Sequence, residues 1–235
     1  RTTSRNDCIK PLCMEYDAVK YDMLQPWSNF IMKTKLPNNV LNKMIEITDR
    51  AIENKNTKHW GKSLAGQIDK ELLVDMSELK KAGIHDYFMD VLREYVVAAL
   101  QQKDPRYAKN YENANWVTEM LAMWIVSQRD NEYNPCHQHT KCSLSSVMYL
   151  KIPKYLPSRK EHNDVDGDII FVNSVSTDEE FCRPQLSVKP EVGDFLIFPA
   201  KQLHFVYPFR THDGKGERRS VSFNAGYSEK KGWSV

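Results

Sequence analysis

The sequence predicts an α+β fold in which N-terminal helices cover one face of an all-β core. Two observations lead to this prediction. Two stretches in the first half of the chain space their apolar residues with the period of a helix. From Trp116 onward, short runs rich in Val, Ile, Phe, Tyr and Trp alternate with polar turns. Several short strands with this spacing are typical of a β-sandwich or a jelly roll.

Length and charge limit the class of protein. A chain of 235 residues suits one large domain with a sizeable core. Its formal net charge of +2 gives no basic footprint for nucleic acid, and no apolar run is long enough to span a bilayer. We therefore expect neither a nucleic-acid partner nor a membrane.

The number of cysteines and the first residues of the chain indicate the cellular compartment. Five cysteines, an odd number, argue against a secreted disulfide framework. The polar and charged start RTTSRNDCIK does not have the pattern of a signal peptide. These features predict a cytoplasmic protein.

The helical half contains two long predicted helices. PNNVLNKMIEITDRAIEN opens with an Asn cap and continues with a helical period, and HDYFMDVLREYVVAALQQ reads as a second amphipathic helix that stops near Asp104 and Pro105. The segment between them, GKSLAGQIDKELLV, is shorter and mixes apolar with polar residues. The first 30 or so residues look irregular, with Pro26 and Trp27 as an anchor.

The β half is divided into strands by its alternating pattern. The predicted strands lie in WVTEMLAMWIVSQ, SLSSVMYLKI, DIIFVN, QLSVKP, DFLIFP, HFVYPF and RRSVSFNAGY. SRKEHNDVDGD and RTHDGKGE are turn-rich loops. We therefore predict a single domain with a helical N-terminal region, 1–112, and a β core, 113–235.

Three histidines form the first candidate site. His137 and His139 are separated by one residue, so in an extended segment their side chains lie on the same face. His204 lies between two predicted strands and can approach the pair if the sheets curl into a barrel. Three imidazoles would hold a first-row metal and leave positions open for catalysis. Hydrogen-bonded core histidines and an exposed polar loop are the alternatives.

An arginine in the last strand forms the second candidate site. Arg218, Ser220 and Ser222 share one face of this strand. An inward-facing cation and hydroxyl could clamp a carboxylate, although a surface strand end would also account for one arginine. Arg219, of opposite parity, is predicted to face solvent.

Four blocks in order resemble the non-haem Fe(II)/2-oxoglutarate oxygenases, most closely the prolyl-hydroxylase-like group found in bacteria and phages. The blocks are NPCHQH at 134–139, LSSVMY at 144–149, GDFLIFPAKQLHFVYP at 193–208 and RRSVSFN at 218–224. The resemblance covers roughly the C-terminal half. It implies a double-stranded β-helix (jelly-roll) core and a dioxygenase, a hydroxylase, that couples decarboxylation of 2-oxoglutarate to succinate with hydroxylation of a substrate.

The resemblance also implies a metal site. His137 and His204 take the two histidine positions of the iron ligands, and His139 falls where most relatives have Asp or Glu. The third ligand could instead be an acidic residue such as Asp130 or Glu132, or the metal could be other than iron.

A co-substrate site is implied by the same blocks. Arg218 takes the position that binds the distal carboxylate of 2-oxoglutarate, with Ser220 in the R-x-S position. Tyr149 falls where a tyrosine hydrogen-bonds the same carboxylate, and Ser145 shares the face of Tyr149 and would line the pocket.

The implied cofactors are Fe(II) and 2-oxoglutarate, with ascorbate as reductant, and the implied partners are O₂ and a primary substrate, either a peptide or protein or a small molecule. The cell would be bacterial or phage-infected. Tyr133, Trp124 and Trp116 are expected to pack in the core rather than to line a channel.

Besides a non-catalytic binding or structural barrel that has lost its activity, two rival functions stay open. One is a cupin-like three-histidine dioxygenase that does not use 2-oxoglutarate and does not require Arg218. The other is a non-catalytic zinc module, for which Cys136, His137, His139 and Cys142 offer ligands within a short span.

Overall fold

Two antiparallel sheets face each other, and helices cover the outside of the larger sheet. The computed structural model describes residues 30–103, 116–159, 164–173 and 184–229. The predicted anchor at Pro26 and Trp27 and the predicted stop at Asp104 and Pro105 lie outside these ranges. So do three of the cysteines and one histidine: Cys8, Cys13, Cys182 and His162.

Three α-helices are present in the described part of the chain: α1 (Asn38–Glu53), α2 (Met76–Lys81) and α3 (His85–Lys103). The two long helices confirm the sequence prediction. The predicted Asn cap of α1 is wrong, because Pro37 is the N-cap residue and no side chain caps the helix. The short α2 was not predicted; the Asp75 carboxylate caps it by accepting a hydrogen bond from the Ser77 N–H at 2.9 Å. None of the helices in the described ranges has both the length and the apolar character needed to cross a membrane.

The larger sheet has six strands in the order β1-β8-β5-β10-β3-β2, and the smaller has four in the order β4-β9-β6-β7. All pairs are antiparallel. The strands are β1 (Met32–Lys35), β2 (Glu71–Leu73), β3 (Trp116–Gln128), β4 (Asn134–His137), β5 (Leu144–Lys151), β6 (Ile169–Val172), β7 (Gln185–Val188), β8 (Asp194–Pro199), β9 (His204–Val206) and β10 (Arg218–Glu229).

All seven predicted strands are present. β1, β2 and β4 were not predicted. Because β1 and β2 come from the region predicted to be helical, the boundary at residue 112 stays a prediction. The arrangement as a whole confirms an α+β fold with a jelly-roll core.

Apolar packing joins the helices to the outer face of the larger sheet. Phe88 of α3 is fully buried there, with its ring centroid 5.9 Å from that of Phe195 on β8 and 6.1 Å from that of Phe223 on β10, both in edge-on geometry. Met44 of α1 and Leu92 of α3 belong to the same cluster. The expectation that the helices pack on one face is therefore confirmed, and the other face of this sheet is left to line an interior space.

Arg219 lies on the outer, helix-covered face and is a correction to the sequence analysis. It has the opposite parity to Arg218, as predicted, but it is buried rather than exposed to solvent. Its Nη1 donates to Asp49 Oδ1 at 2.5 Å and its Nη2 donates to Glu217 Oε2 at 2.8 Å. The physical reason is that α1 covers this part of the sheet, so the outward direction leads to a helix and not to water.

Candidate functional site

Two short strands of the smaller sheet bring two histidines to one point. β4 pairs with β9, and the register sets His137 opposite His204, with their ring centroids 4.3 Å apart. His139 follows β4, where its backbone N–H donates to the Ala200 carbonyl at 2.8 Å. Its ring centroid lies 5.3 Å from each of the other two.

The three imidazoles are close enough to share one ion, because their ligand atoms all lie within 4.8 Å of one another. Within the described ranges, this is the one group of three or more His, Cys, Asp or Glu side chains that meets this condition. The sequence analysis predicted that these three would meet, and the geometry agrees.

Hydrogen bonds to backbone carbonyls fix the tautomers of two of the rings. His137 Nδ1 lies 2.7 Å from the Pro135 carbonyl oxygen, and His204 Nδ1 lies 2.8 Å from that of Gln202. A carbonyl only accepts, so each Nδ1 carries the proton and each Nε2 keeps its lone pair. Metal-ligating histidines commonly have this arrangement.

Burial keeps the three rings neutral. Desolvation lowers the pKa of His139 to about 4 and that of His204 to about 3, and the neighbouring His137 adds to both effects. Desolvation also lowers the pKa of His137, although the Pro135 carbonyl opposes this. Neutral imidazole is the form that binds metal, so no proton has to leave at neutral pH.

The acidic residues considered as a third ligand serve another purpose. Asp130 accepts hydrogen bonds from the Thr211 N–H and hydroxyl, both at 2.7 Å. Glu132 accepts from the N–H groups of Asp69 and Arg129, at 2.9 and 2.6 Å. Both carboxylates thus accept hydrogen bonds from neighbouring loop residues. His139 remains the candidate for the third metal ligand.

The cysteines beside the histidines are not part of the cluster. Cys136 is exposed, Cys142 is half-buried, and both are free thiols. Neither belongs to the group of ligand atoms that could share an ion. The geometry therefore gives no support to a zinc module built from two cysteines and two histidines.

Arg218 lies on the inner face of the larger sheet and is 2% exposed. Its Nη1 donates to Gln128 Oε1 at 2.7 Å, and Gln128 is its cross-strand neighbour on β3. Within the part of the chain that the structure describes, its Nε has no hydrogen-bond partner. A buried guanidinium without a counter-ion is costly, so this side chain is suited to receive an anion.

Tyr149 offers a second donor beside this arginine. Its ring centroid lies 4.9 Å from the Arg218 guanidinium carbon, and its buried hydroxyl has no hydrogen-bond acceptor among the described residues. Burial raises the pKa of Tyr149 while the Arg218 charge opposes the shift. Ser220, its cross-strand neighbour on β10, adds a hydroxyl at the same level of the sheet.

The histidines and this donor group line one cavity of about 700 Å³ between the two sheets. His137, His139, His204, Arg218, Tyr149 and Ser220 are all among its lining residues. Ser145 is not, and four residues of extended strand, about 13 Å, separate it from Tyr149. A role of Ser145 in binding the co-substrate therefore stays a prediction.

Trp60, Glu71 and Gln128 also line the cavity, and sequence reasoning did not single them out. The parity of β3 could have found Gln128 and Trp124, since both share the inward face. Trp124 was expected to pack in the core, and it is buried but also lines the cavity. Trp116 does pack in the core, and Tyr133 is exposed. No sequence pattern signalled Trp60 or Glu71, because the pairing of β2 with β3 is long-range.

Comparison with protein families gives one match. Residues 122–224 match the profile of a family described as putative 2OG-Fe(II) oxygenase. No curated protein matches the sequence significantly.

Solved structures show the fold. A Pseudomonas putida prolyl-4-hydroxylase aligns with 13% identity over 87% of this chain and 95% of its own, with a TM-score of 0.50. The non-heme alpha ketoglutarate dependent epimerase SnoN from nogalamycin biosynthesis aligns with 12% identity over 86% and 80%, with a TM-score of 0.55. The structure of SnoN in complex with Fe³⁺, alpha ketoglutarate and nogalamycin RO aligns with 13% identity over 86% of this chain and 82% of its own, with a TM-score of 0.55.

Proposed function

We propose that this chain is a member of the 2OG-Fe(II) oxygenase family, whose profile matches residues 122–224, and that His137, His139 and His204 bind the iron while Arg218 binds 2-oxoglutarate. The protein is an Fe(II)- and 2-oxoglutarate-dependent oxygenase of the prolyl-hydroxylase-like group. When bound, iron and 2-oxoglutarate together supply the oxidation by O₂ that hydroxylates the substrate and releases succinate.

One observation carries the assignment of residues. A single cavity contains three neutral imidazoles able to share an ion and, on the facing sheet, a buried guanidinium with an unused N–H. 2-Oxoglutarate has a metal-binding keto acid at one end and a carboxylate at the other. The two groups of side chains therefore match the two ends of this co-substrate.

The donor set fits iron, with one difference from a site that includes a carboxylate. Imidazole is a suitable ligand for ferrous iron, and three protein ligands leave positions for 2-oxoglutarate and O₂. A site of three neutral histidines is one unit more positive than a site of two histidines and one carboxylate. We infer that this extra positive charge favours the dianionic co-substrate.

Neighbouring residues position the arginine and exclude water. Gln128 holds one end of the guanidinium, which leaves Nε for the incoming carboxylate, and the Tyr149 hydroxyl can donate to the same group. Val147, Phe198 and Val206 line the cavity with apolar surface. Such surface limits the number of water molecules that compete for these donors.

The primary substrate is a peptide, a protein or a small molecule. We propose that the enzyme works in the cytoplasm of a bacterial or phage-infected cell, with ascorbate as a reductant that maintains ferrous iron. Cys136 and Cys142, both free thiols, are compatible with such a reducing compartment.

The first test is turnover of 2-oxoglutarate. We expect succinate to form when the chain is incubated with Fe(II), 2-oxoglutarate, ascorbate and O₂. Arg218→Ala should weaken 2-oxoglutarate binding by about 30-fold or more, because losing a buried charge pair costs roughly 2–5 kcal/mol. Isothermal titration with 2-oxoglutarate measures the affinity, and quantification of succinate measures the activity.

Arg93→Ala is the matched control, since Arg93 is exposed on α3 and pairs only with Asp90 among the described residues. Thermal unfolding of each variant shows whether it is folded. Equal affinities for 2-oxoglutarate in the wild type and in a folded Arg218→Ala variant would favour a three-histidine dioxygenase without this co-substrate. Zinc retained through purification, with no turnover, would favour the zinc alternative.

A further inference from the structure

Glu71 is a buried carboxyl group that the proposed chemistry does not use. It lies on β2 at the edge of the larger sheet and is 2% exposed. Its Oε2 has no hydrogen-bond partner in the described part of the chain. A buried carboxylate that serves only the fold would be satisfied by donors, so this atom requires another explanation.

The register of the sheet directs Glu71 into the same cavity as the iron and 2-oxoglutarate groups. Glu71 is the cross-strand neighbour of Val126, Val126 of Ser220, and Ser220 of Tyr149. Cross-strand neighbours point to the same side of a sheet. Glu71 therefore ends an inward-facing row that begins beside the proposed 2-oxoglutarate site.

The cations already present do not neutralise Glu71. It is the one acidic side chain among the described residues that line the cavity. Arg218 lies two strands across and two residues along from Glu71, about 12 Å away, and is directed to Gln128. Lys141 also lines the cavity but is exposed, so solvent screens its charge. No ion pair to Glu71 is present in the described ranges.

Two tryptophans line the same cavity as Glu71. Trp60, in the segment that precedes β2, and Trp124, on β3, both line it with Glu71. The Trp60 ring already has the Lys58 ammonium 5.4 Å from its centroid. Aromatic faces beside a carboxylate are the surroundings that recognise an amine or a guanidinium.

The backbone of residues 60–66 passes close to the Glu71 carboxyl group. A Cβ at Gly66 would lie 2.7 Å from Glu71 Oε1 and 2.7 Å from Asn134 Oδ1, and one at Gly61 would lie 3.0 Å from Glu71 Oε2. Glycine at these positions lets the backbone cover the carboxyl group without pushing it aside. Ser63, Leu64 and Ala65 of this segment line the cavity beside it.

We propose that Glu71, with Trp60 and Trp124, binds a basic group of the primary substrate, an amine or a guanidinium, and so selects a cationic substrate. This inference rests on the proposed function and names the chemical class of its substrate. The basic group supplies the partner that the Glu71 carboxylate lacks, and it enters the cavity on the side away from Arg218.

The test compares charged probes with uncharged isosteres. Nα-acetyl-arginine amide is paired with its citrulline analogue, and Nα-acetyl-lysine amide with its norleucine analogue. Each is titrated calorimetrically into the full chain loaded with Fe(II) and 2-oxoglutarate under argon. A charge-assisted hydrogen bond to Glu71 should make at least one basic probe bind about 10- to 100-fold more tightly than its isostere.

Glu71→Gln should remove this preference and leave the affinity for the uncharged isostere within about twofold. Glu94→Gln, at an exposed position of α3, is the matched control and should keep the preference. Equal affinities within both probe pairs, no measurable binding of either basic probe, or a preference that survives Glu71→Gln would overturn the proposal.

Succinate formation by the same preparation tests the proposed function separately. Turnover of 2-oxoglutarate together with equal probe affinities would overturn only the role of Glu71. Absence of both turnover and 2-oxoglutarate binding would overturn the proposed function and this inference with it.

Discussion

Arg218 and Arg219 are adjacent in the chain, and both are buried, yet their charges meet different surroundings. Arg218 faces the cavity with an unused Nε, whereas Arg219 faces α1 and is paired with Asp49 and Glu217. Strand parity alone predicts that they point to opposite sides. It does not predict what covers the outer side, since that depends on a helix more than 160 residues away in the chain.

At the residue scale, Glu71→Gln should raise the free energy of unfolding near neutral pH. Burial, with a smaller effect of Glu132, raises the pKa of Glu71 from 4.5 to about 7. The folded state therefore binds more protons than the unfolded state between these values. The stability of the wild type, full below about pH 4.5, falls as the pH rises through about 7. Glutamine has no charge to bury, so the variant should not show this loss.

Urea unfolding of wild type and variant between about pH 4 and pH 8 measures the effect, with Glu94→Gln as the exposed control. We expect the two stability curves to lie close together at the acidic end and to separate as the pH rises. Curves that stay parallel over the whole range would show that Glu71 is not desolvated in the folded protein.

The success of the sequence prediction depends on how clearly the sequence marks each strand. β3, β5 and β10 are long enough to show their pattern, and the start of β8 is marked by Gly193, whose φ of +84° favours glycine. β1, β2 and β4 have three or four residues each. β6, β7 and β9 are equally short, but apolar runs between turn residues mark them in the sequence, whereas β1, β2 and β4 carry no such signal and are strands through their long-range pairing. Glu71 was missed for this reason.

At the element scale, one ion-pair network should hold α1 against the larger sheet. Asp49 of α1 accepts from Lys151 of β5 at 2.7 Å and from Arg219 of β10 at 2.5 Å. The hydrogen bond from Lys151, followed by that from Arg219, lowers the pKa of Asp49 against the effect of its partial burial. Glu217 accepts from Arg219 Nε and Nη2 at 2.9 and 2.8 Å.

Removing both anions should destabilise the protein strongly, because Arg219 would remain buried without a counter-ion. We expect the double variant Asp49→Ala/Glu217→Ala to lose about 3–5 kcal/mol in the free energy of unfolding. Urea denaturation measures the loss, and Glu46→Ala, at an exposed position of α1, is the control. A double variant as stable as this control would mean that apolar packing alone fixes α1.

At the scale of the whole molecule, the candidate site depends on both sheets. The smaller sheet contributes His137 and His204, whereas the larger sheet contributes Arg218, Tyr149 and Glu71. The order of sequence blocks predicted the first four of these residues because a resemblance links them. The sequence blocks do not predict the distance between the two sheets. That distance determines whether the two sets of side chains line one cavity.

Because the two ends of 2-oxoglutarate would contact different sheets, binding should stabilise the whole fold. A ligand at about 100 times its Kd adds about 2.7 kcal/mol, which for a chain of this size raises Tm by about 5–10 °C. We expect Fe(II) under argon to raise Tm and 2-oxoglutarate to raise it further. Differential scanning calorimetry with and without each ligand measures both shifts.

Variants separate the two contributions to this stabilisation. His204→Ala should lose the shift caused by iron, whereas Arg218→Ala should keep it and lose most of the additional shift caused by 2-oxoglutarate. His212→Ala, at an exposed position, is the control and should behave as the wild type. If 2-oxoglutarate stabilised Arg218→Ala as much as the wild type, the co-substrate would not extend from the histidines to the opposite sheet. The two groups of residues would then not act as one site.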